Sequence, residues 1–339
     1  MRRLLVVGCL LAAACGDERV AVDATEPDGT EVVDIVADET EVAATEVDAA
    51  IVEVADVSNS AVSDIFAPDD TIDPAAPLGG DRPARVVLPE GYDPARAWPL
   101  VLLLHGYSAS GELQDLYLGF SPVAAQQGFI TIVPDGTTSP AGLRFWNTTP
   151  GWCCDFWDTG VDDAGYLVGL VAEAKRRWHV DPGRVYAFGH SNGGFMAHKL
   201  ACAHAEVFSA IGSLAGSLPK AGADCEPARP VSVLAVHGTL DATIVYGGNA
   251  DYPGAETVAA RWASYDMCGV EPTVGEPLDH DRLVAGAETV PVTWSGCGAG
   301  TSVALWTMKG SGHVPTVGAG FVEAVLAWLE ARRRQEEGP

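Results

Sequence analysis

The sequence predicts an α/β protein with a mostly parallel central sheet and helices on both faces. Short apolar segments bounded by turn residues alternate with helical segments over most of the chain after residue 80. Residues 99–105 (PLVLLLH) form an unbroken apolar run, as a strand buried on both faces requires. Residues 161–178 place an apolar stripe at helical spacing, with acids at the start and bases at the end. Repeated βα units of this kind build a parallel sheet.

The predicted elements follow in chain order. Strands are predicted at 85–89 (an edge strand), 99–105, 129–133, 185–188, 208–214, 231–236 and 303–308. Helices are predicted at 121–128, 161–178, 257–265 and 321–333, with one more after Ser191 that carries Phe195, Met196 and Leu200. Residues 180–183 are interpreted as a turn.

A long segment at 137–160 interrupts the alternation. Loops of this length in a compact domain are functional or disordered, and its tryptophans and adjacent cysteines argue against disorder. Trp146, Trp152 and Trp157 either wall a substrate groove or form a local core, and the sequence leaves both interpretations open.

The N-terminal part differs from the rest. Residues 1–15 (MRRLLVVGCLLAAAC) carry two arginines, an apolar run and small residues before a cysteine, which is typical of an export signal. The end of this segment is similar to a bacterial lipobox, which predicts a lipid on Cys15, although Ala12 departs from the motif and leaves secretion without a lipid open. Residues 16–78 are rich in acids and lack a core-forming pattern, so we expect a disordered tether. The folded α/β domain is predicted at 79–334, followed by a tail at 335–339.

Charge and cysteine usage narrow the classes of partner. The 339-residue chain has a formal net charge of -26, so nucleic acid is not expected as a partner. Six cysteines follow the predicted signal, and in an exported protein an even set indicates disulfides, with 15 possible connectivities. No cysteine pair has zinc-ligand spacing and no nearby histidine completes a site, so no metal is predicted. The chemistry predicted below needs no organic cofactor either. The only expected link to a membrane is the lipid on Cys15.

The most informative stretch is residues 184–202 (RVYAFGHSNGGFMAHKLAC). A strand runs into GxSxG at Gly189, Ser191 and Gly193, and a helix follows. In that context the motif indicates a nucleophile elbow, in which a tight turn presents the serine hydroxyl above the sheet. The glycines are needed where side chains would collide with the neighbouring strand and helix.

A serine nucleophile needs a histidine base and a carboxylate that orients it. In the α/β-hydrolase arrangement these follow the serine in the order acid, histidine, each after a later strand. Asp241 follows the strand in VSVLAVHGTLD, whereas its rivals Asp251, Asp279 and Asp281 follow no comparable strand. His313 lies on the glycine-rich loop between the last predicted strand and helix. The sequence therefore predicts a triad of Ser191, Asp241 and His313.

Acyl transfer also requires hydrogen-bond donors for the developing oxyanion, each worth roughly 3 kcal/mol. The backbone N–H of Asn192, directly after the nucleophile, is one candidate. The other is the N–H of Tyr107 in the HGY turn that follows the buried strand at 99–105.

Several motifs together carry a family resemblance: HGY, WCCD followed by VDDAGYL, GHSNGGFMAHKLAC, HGTLDATIVYGG and GSGH. From about residue 85 to the last helix, the chain resembles the polyhydroxybutyrate depolymerase-like esterases, related to family 1 carbohydrate esterases and feruloyl esterases. The resemblance implies the same triad and oxyanion hole. It also implies disulfides Cys202–Cys225 and Cys268–Cys297, which leaves Cys153 and Cys154 as an adjacent pair or as one that exchanges partners.

These observations predict a secreted or surface-anchored serine esterase that hydrolyses polyhydroxyalkanoate oligomers or related polyesters. The alternative is a feruloyl or acetyl-xylan esterase acting on plant polysaccharide esters. An alternative of another class is an acidic surface lipoprotein that keeps the hydrolase fold without catalysis. The sequence does not predict the oligomeric state.

Overall fold

The computed structural model describes residues 77–149, 153–269 and 271–334. The predicted export signal with Cys15, the tether up to residue 76, Trp152 and the tail at 335–339 lie outside the described residues. Leu78, placed by the sequence at the end of the tether, is buried and pairs with Ala84. The packed domain therefore includes Leu78.

A nine-stranded sheet forms the centre of the described part of the chain, with the order β1-β3-β2-β6-β7-β8-β11-β10-β9. Its strands are β1 (Arg85–Val87), β2 (Trp98–Leu104), β3 (Ile130–Val133), β6 (Val180–His190), β7 (Ala210–Leu214), β8 (Ser232–Gly238), β9 (Thr273–Val274), β10 (Thr289–Trp294) and β11 (Val303–Met308). The strands from β3 to β11 in that order run parallel, while β1, β10 and β9 add antiparallel edges. A separate hairpin consists of β4 (Thr137–Thr138) and β5 (Arg144–Phe145).

Six α-helices accompany the sheet in the described residues. They are α1 (Gly111–Leu118), α2 (Phe120–Gln126), α3 (Asp163–Arg177), α4 (Asn192–Ala203), α5 (Ala255–Tyr265) and α6 (Ala319–Glu330). None of the helices in the described residues has the length and apolar composition needed to cross a membrane.

The core consists of two apolar clusters, one on each face of the sheet. Leu100, Leu102 and Leu104 of β2 contribute to the cluster that α3, α4 and α5 cover, while Val101 and Leu103 contribute to the one that α1, α2 and α6 cover. This alternation follows from the two-residue period of a strand. It explains why β2 is apolar at every position, and it confirms the predicted α/β layers.

Several features of the fold depart from the sequence prediction. Residues 180–183 belong to β6 and not to a turn: Val180 pairs with Trp98 before an irregularity that accommodates Asp181, Pro182 and Gly183. The strands β9 and β10 were not predicted, because β9 has two residues and Pro291 interrupts the β10 pattern.

Helix α1 was also missed, and its burial pattern gives the reason. It buries Gln114 and Asp115, while Leu113 and Leu116 are exposed, so its apolar residues do not mark the buried face. Its start is set instead by Ser110, whose hydroxyl accepts the N–H of Leu113 as an N-cap.

Three disulfides occur in the described residues: Cys153–Cys154, Cys202–Cys225 and Cys268–Cys297. The second and third are the two pairings that the family resemblance implied. Cys153 and Cys154 form a disulfide between adjacent residues. Two sulfur atoms therefore lie within the 137–160 loop and close to the elbow.

Candidate active site

The carboxyl ends of the parallel strands bring the predicted triad together. Ser191 directly follows β6, Asp241 lies three residues after β8, and His313 lies five residues after β11. Nε2 of His313 is 2.9 Å from Oγ of Ser191, and Nδ1 of His313 is 2.8 Å from Oδ2 of Asp241. This is the arrangement in which an imidazole can take the serine proton while a carboxylate holds its other nitrogen.

The backbone around Ser191 is a nucleophile elbow. Ser191 has φ 55° and ψ -120°, a conformation that a non-glycine residue adopts only when its surroundings enforce it. A Cβ at Gly189 would lie 2.1 Å from the carbonyl oxygen of Gly193, and one at Gly193 would lie 2.3 Å from that of Leu104. Both glycines are therefore required, as the sequence indicated, because the turn is pressed between β2 and α4.

Asp241 is buried and fully hydrogen-bonded. Its Oδ1 accepts the backbone N–H groups of Thr243 and Ile244, each at 2.8 Å, which leaves Oδ2 for His313. Burial acts to raise the pKa of this carboxyl, but hydrogen bonds from His237, His313 and the backbone outweigh burial and hold the pKa well below its usual range. Asp241 is therefore ionised at neutral pH.

His237 is a second imidazole beside the same carboxylate. Its Nε2 lies 2.7 Å from the carbonyl oxygen of Ile244 and 3.3 Å from Oδ2 of Asp241. The ring is buried near the end of β8, where the sequence showed only a strand-end HG motif. The N–H at Nε2 of His237 thus fixes both the Asp241 side chain and the loop that carries Asp241. Sequence reasoning missed this role, although the spacing His237 to Asp241 was visible in HGTLD.

His190 fixes the position of His313, the residue that Asp241 contacts. Its Nε2 lies 2.9 Å from the backbone carbonyl oxygen of His313. Burial, followed by the nearby His313, lowers the pKa of His190 to about 4, so its ring is neutral at neutral pH. Since Nε2 faces a carbonyl oxygen, we assign the single ring proton to Nε2. The residue before Ser191 therefore holds the loop that carries His313 in place.

The predicted oxyanion donors flank Ser191. Asn192 is the first residue of α4, where a backbone N–H has no partner within the helix. Across from it, the HGY turn approaches closely: a Cβ at Gly106 would lie 3.5 Å from Cβ of Ser191. The backbone of Tyr107 continues from this contact.

The side chain of His105 fastens that turn. Its Nε2 accepts the N–H of Gly136 at 2.8 Å, and its Nδ1 lies 2.8 Å from the carbonyl oxygen of Gly106. The first bond requires an unprotonated Nε2, so we assign the proton to Nδ1. Burial lowers the pKa of His105 to about 4, which keeps the ring in this neutral form.

The tryptophans of the 137–160 loop have different roles. Trp146 is fully buried, so it does not form an open wall for a substrate, and the local-core interpretation holds for it. Trp157 is half-buried and packs against Phe145 and Phe156. Phe156, which the sequence analysis did not select, is 70% exposed and contacts the Tyr107 ring edge-on at 5.5 Å between centroids. The aromatic surface beside the site is therefore Tyr107, Phe156 and Trp157.

No group of three or more His, Cys, Asp or Glu side chains in the described residues is arranged to hold a metal ion.

Comparison with known proteins identifies the family. The model of the family named Esterase matches residues 75–287, a stretch that includes Ser191 and Asp241 and ends before His313. The chain belongs to this esterase family. Among curated relatives of this esterase, feruloyl esterase B of Piromyces equi is 29% identical over 68% of the chain and 42% of its own length. Feruloyl esterase C of Emericella nidulans is 26% identical over 62% of the chain and 69% of its own length.

The chain spans less than half the length of the first curated relatives that it matches. Among solved structures, an acetyl xylan esterase from Aspergillus awamori matches with a TM-score of 0.55, at 14% identity over 75% of the chain and 96% of that protein. This likeness confirms the fold, which is that of the α/β-hydrolases.

Proposed function

We propose that this esterase hydrolyses carboxylic esters through an acyl-enzyme on Ser191. The observation that carries the proposal is the continuous pair of hydrogen bonds from Ser191 through His313 to Asp241, at 2.9 and 2.8 Å. Because the Asp241 carboxylate faces Nδ1, the proton of neutral His313 belongs on Nδ1, and Nε2 is free to accept from the serine hydroxyl.

The reaction then follows in two halves. His313 Nε2 takes the Ser191 proton as Oγ bonds to the ester carbonyl carbon, and the carbonyl oxygen becomes an oxyanion facing the N–H groups of Tyr107 and Asn192. Collapse breaks the bond to the alcohol, which leaves with the proton from His313. In the second half, water gives a proton to His313 and attacks the acyl carbon. Collapse breaks the bond to Oγ of Ser191, which takes the proton back from His313 as the acid departs.

We propose that the substrate is an ester of a hydroxycinnamoyl group, such as a feruloyl ester. The exposed ring of Phe156, in contact with Tyr107 at the proposed oxyanion hole, offers a face on which an aromatic acyl group can stack. Two relatives are named feruloyl esterases, which supports the same class. The second candidate is a polyhydroxyalkanoate oligomer, which the exposed apolar side chains Leu240 and Val314, next to Asp241 and His313, favour.

We further propose that the enzyme works outside the cytoplasm. Its three disulfides are typical of an oxidising compartment, in agreement with the predicted export signal. Mass spectrometry of the mature N-terminus tests the predicted lipid on Cys15: a mass without the lipid refutes surface anchoring and leaves secretion.

The catalytic proposal is tested with Ser191→Ala on p-nitrophenyl acetate. We expect turnover to fall to the background rate while the circular dichroism spectrum stays that of the wild type. Ser213→Ala is the matched control, because Ser213 is buried and its hydroxyl has no hydrogen-bond partner within the described residues. Turnover retained by Ser191→Ala refutes the triad, whereas a folded wild-type protein without turnover leaves the non-catalytic alternative.

The substrate is tested with methyl ferulate, hydroxybutyrate oligomers, acetylated xylan and p-nitrophenyl acetate. We expect methyl ferulate to have the highest kcat/KM, and Phe156→Ala to raise KM for methyl ferulate several-fold with little change for p-nitrophenyl acetate. Leu113→Ala, at another exposed apolar side chain, is the control. A preference for hydroxybutyrate oligomers that Phe156→Ala leaves unchanged supports the second candidate instead.

A further inference from the structure

Trp146 contacts the backbone on one side of the proposed oxyanion hole through its indole ring. Its Nε1–H donates to the carbonyl oxygen of His105 at 2.9 Å, and its ring packs against the His105 imidazole with 4.9 Å between centroids. His105 begins the HGY turn, two residues before the proposed donor Tyr107. The indole of Trp146 therefore fixes the start of the segment that presents one donor.

The backbone of Trp146 is hydrogen-bonded to Asn192, on the other side of the proposed oxyanion hole. Its N–H donates to Oδ1 of Asn192 at 2.7 Å, and its carbonyl oxygen accepts from Nδ2 of Asn192 at 2.9 Å. Asn192 is 1% exposed, so this paired amide contact is shielded from water. Asn192 is also the residue whose own backbone N–H is the second proposed donor.

We propose that Trp146 is a positioning residue that sets the spacing between the two oxyanion donors. This inference rests on the proposed ester chemistry. Oxyanion donors act within about 2.7–3.1 Å of the charged oxygen, so a small shift of either segment weakens stabilisation of the transition state. A single buried residue hydrogen-bonded to both segments holds that spacing against thermal motion.

The loop behind Trp146 is itself anchored, which a positioning role requires. Nζ of Lys199 donates to the carbonyl oxygen of Thr149 at 2.8 Å. Nδ2 of Asn192 also lies 3.5 Å from Sγ of Cys153, in the disulfide between adjacent residues. Helix α4 thus binds the loop at Thr149 and at Cys153, and the first of these anchors lies three residues after Trp146.

Trp146→Phe tests the proposal, because it keeps an aromatic ring and removes the indole N–H. Trp262→Phe is the matched control: Trp262 is also fully buried, and its indole N–H donates to Nδ1 of His198 at 3.1 Å, away from the oxyanion hole. We would measure kcat and KM for p-nitrophenyl acetate, inhibition by phenylboronic acid and the melting temperature of each.

For Trp146→Phe we expect kcat to fall about tenfold, less than the loss of a whole oxyanion donor, with KM within about twofold. Inhibition by phenylboronic acid, whose anionic tetrahedral adduct with Ser191 places a boronate oxygen where the oxyanion forms, should weaken in parallel. The pH dependence of kcat should keep its midpoint, since the base is untouched. Trp262→Phe should lower the melting temperature by a similar amount and leave kcat within about twofold.

Asn192→Ala provides a second route if Trp146→Phe does not fold, since it removes both hydrogen bonds to the Trp146 backbone and leaves the indole bond. Its kcat should also fall, and the double variant should lose less than the product of the single losses, because each substitution breaks one end of the same link between the two donor segments. Unchanged kcat in folded Trp146→Phe, or equal losses in both tryptophan variants, overturns the inference. Ser191→Ala keeps the two proposals apart: if it is inactive, such a result rejects only the role of Trp146.

Discussion

Replacing Asp241 by Asn tests how the acid controls the proton on His313. Oδ1 of Asp241 accepts two backbone N–H groups, from Thr243 and Ile244. In Asp241→Asn the amide oxygen must occupy that place, so the NH2 group occupies the place of Oδ2 and faces Nδ1 of His313. Nδ1 must then accept a hydrogen bond, and the ring proton moves to Nε2. An Nε2–H directed at Ser191 cannot take the serine proton.

The size of the fall in kcat follows from the free-energy cost of turning the amide of Asp241→Asn the other way round. Flipping the amide would restore the working form of His313 but would point the NH2 group at two buried backbone N–H groups. Each unsatisfied group costs about 1–3 kcal/mol. The sum of about 2–6 kcal/mol corresponds to a fall in kcat of roughly 30-fold to 10⁴-fold. The fold should persist, because the variant removes a buried charge and keeps the shape of the side chain.

The assay is steady-state hydrolysis of p-nitrophenyl acetate, with the melting temperature as a check on folding. Asp251→Asn is the control. Asp251 is exposed, so this substitution makes the same chemical change outside the site. We expect the control to keep its kcat. A folded Asp241→Asn enzyme with kcat within about fivefold of the wild type would refute the assignment of Asp241 as the acid.

Two further predictions concern Asp266 and His190. Burial raises the pKa of Asp266 to about 7, and its Oδ2 has no hydrogen-bond partner within the described residues. Between pH 4 and 7 the folded state therefore keeps a proton that the unfolded state releases, so stability falls as pH rises, by up to about 4 kcal/mol. The free energy of unfolding of Asp266→Asn, measured by chemical denaturation from pH 4 to 8, should lack this fall. Parallel plots of unfolding free energy against pH for the wild type and the variant would contradict the prediction. His190→Phe keeps the ring but loses the donor to His313, and we expect about a tenfold lower kcat with partial recovery in His190→Gln; full activity in a folded His190→Phe would contradict the positioning role.

The parallel core and the order of the site residues could be predicted because both leave local patterns. Unbroken apolar runs such as 99–105 occur where both faces of a strand are covered, and the glycines of the elbow reflect contacts with its immediate neighbours. Helix α1 could not be predicted from periodicity, because it buries Gln114 and Asp115. Their place is set by hydrogen bonds to Gly106 and Ser121, which the local sequence does not show.

The residues that surround the candidate triad were harder to predict for a related reason. His190 and His237 act through contacts with the backbone of His313 and Ile244, and a backbone carbonyl leaves no mark in the sequence. Trp146 was visible as an aromatic in a long loop, but only the fold shows that its ring points inward. Phe156 was overlooked because exposure, not residue type, distinguishes it from the other rings of the loop.

The central claim is that Ser191 is the nucleophile, and covalent labelling tests it most directly. The folded enzyme would be treated with a fluorophosphonate and digested, and the modified residue identified by mass spectrometry. We predict one adduct per chain, on Ser191, with none in Ser191→Ala and slowed labelling in Asp241→Asn. An unlabelled wild-type enzyme, or an adduct on another serine that persists in Ser191→Ala, would contradict the account.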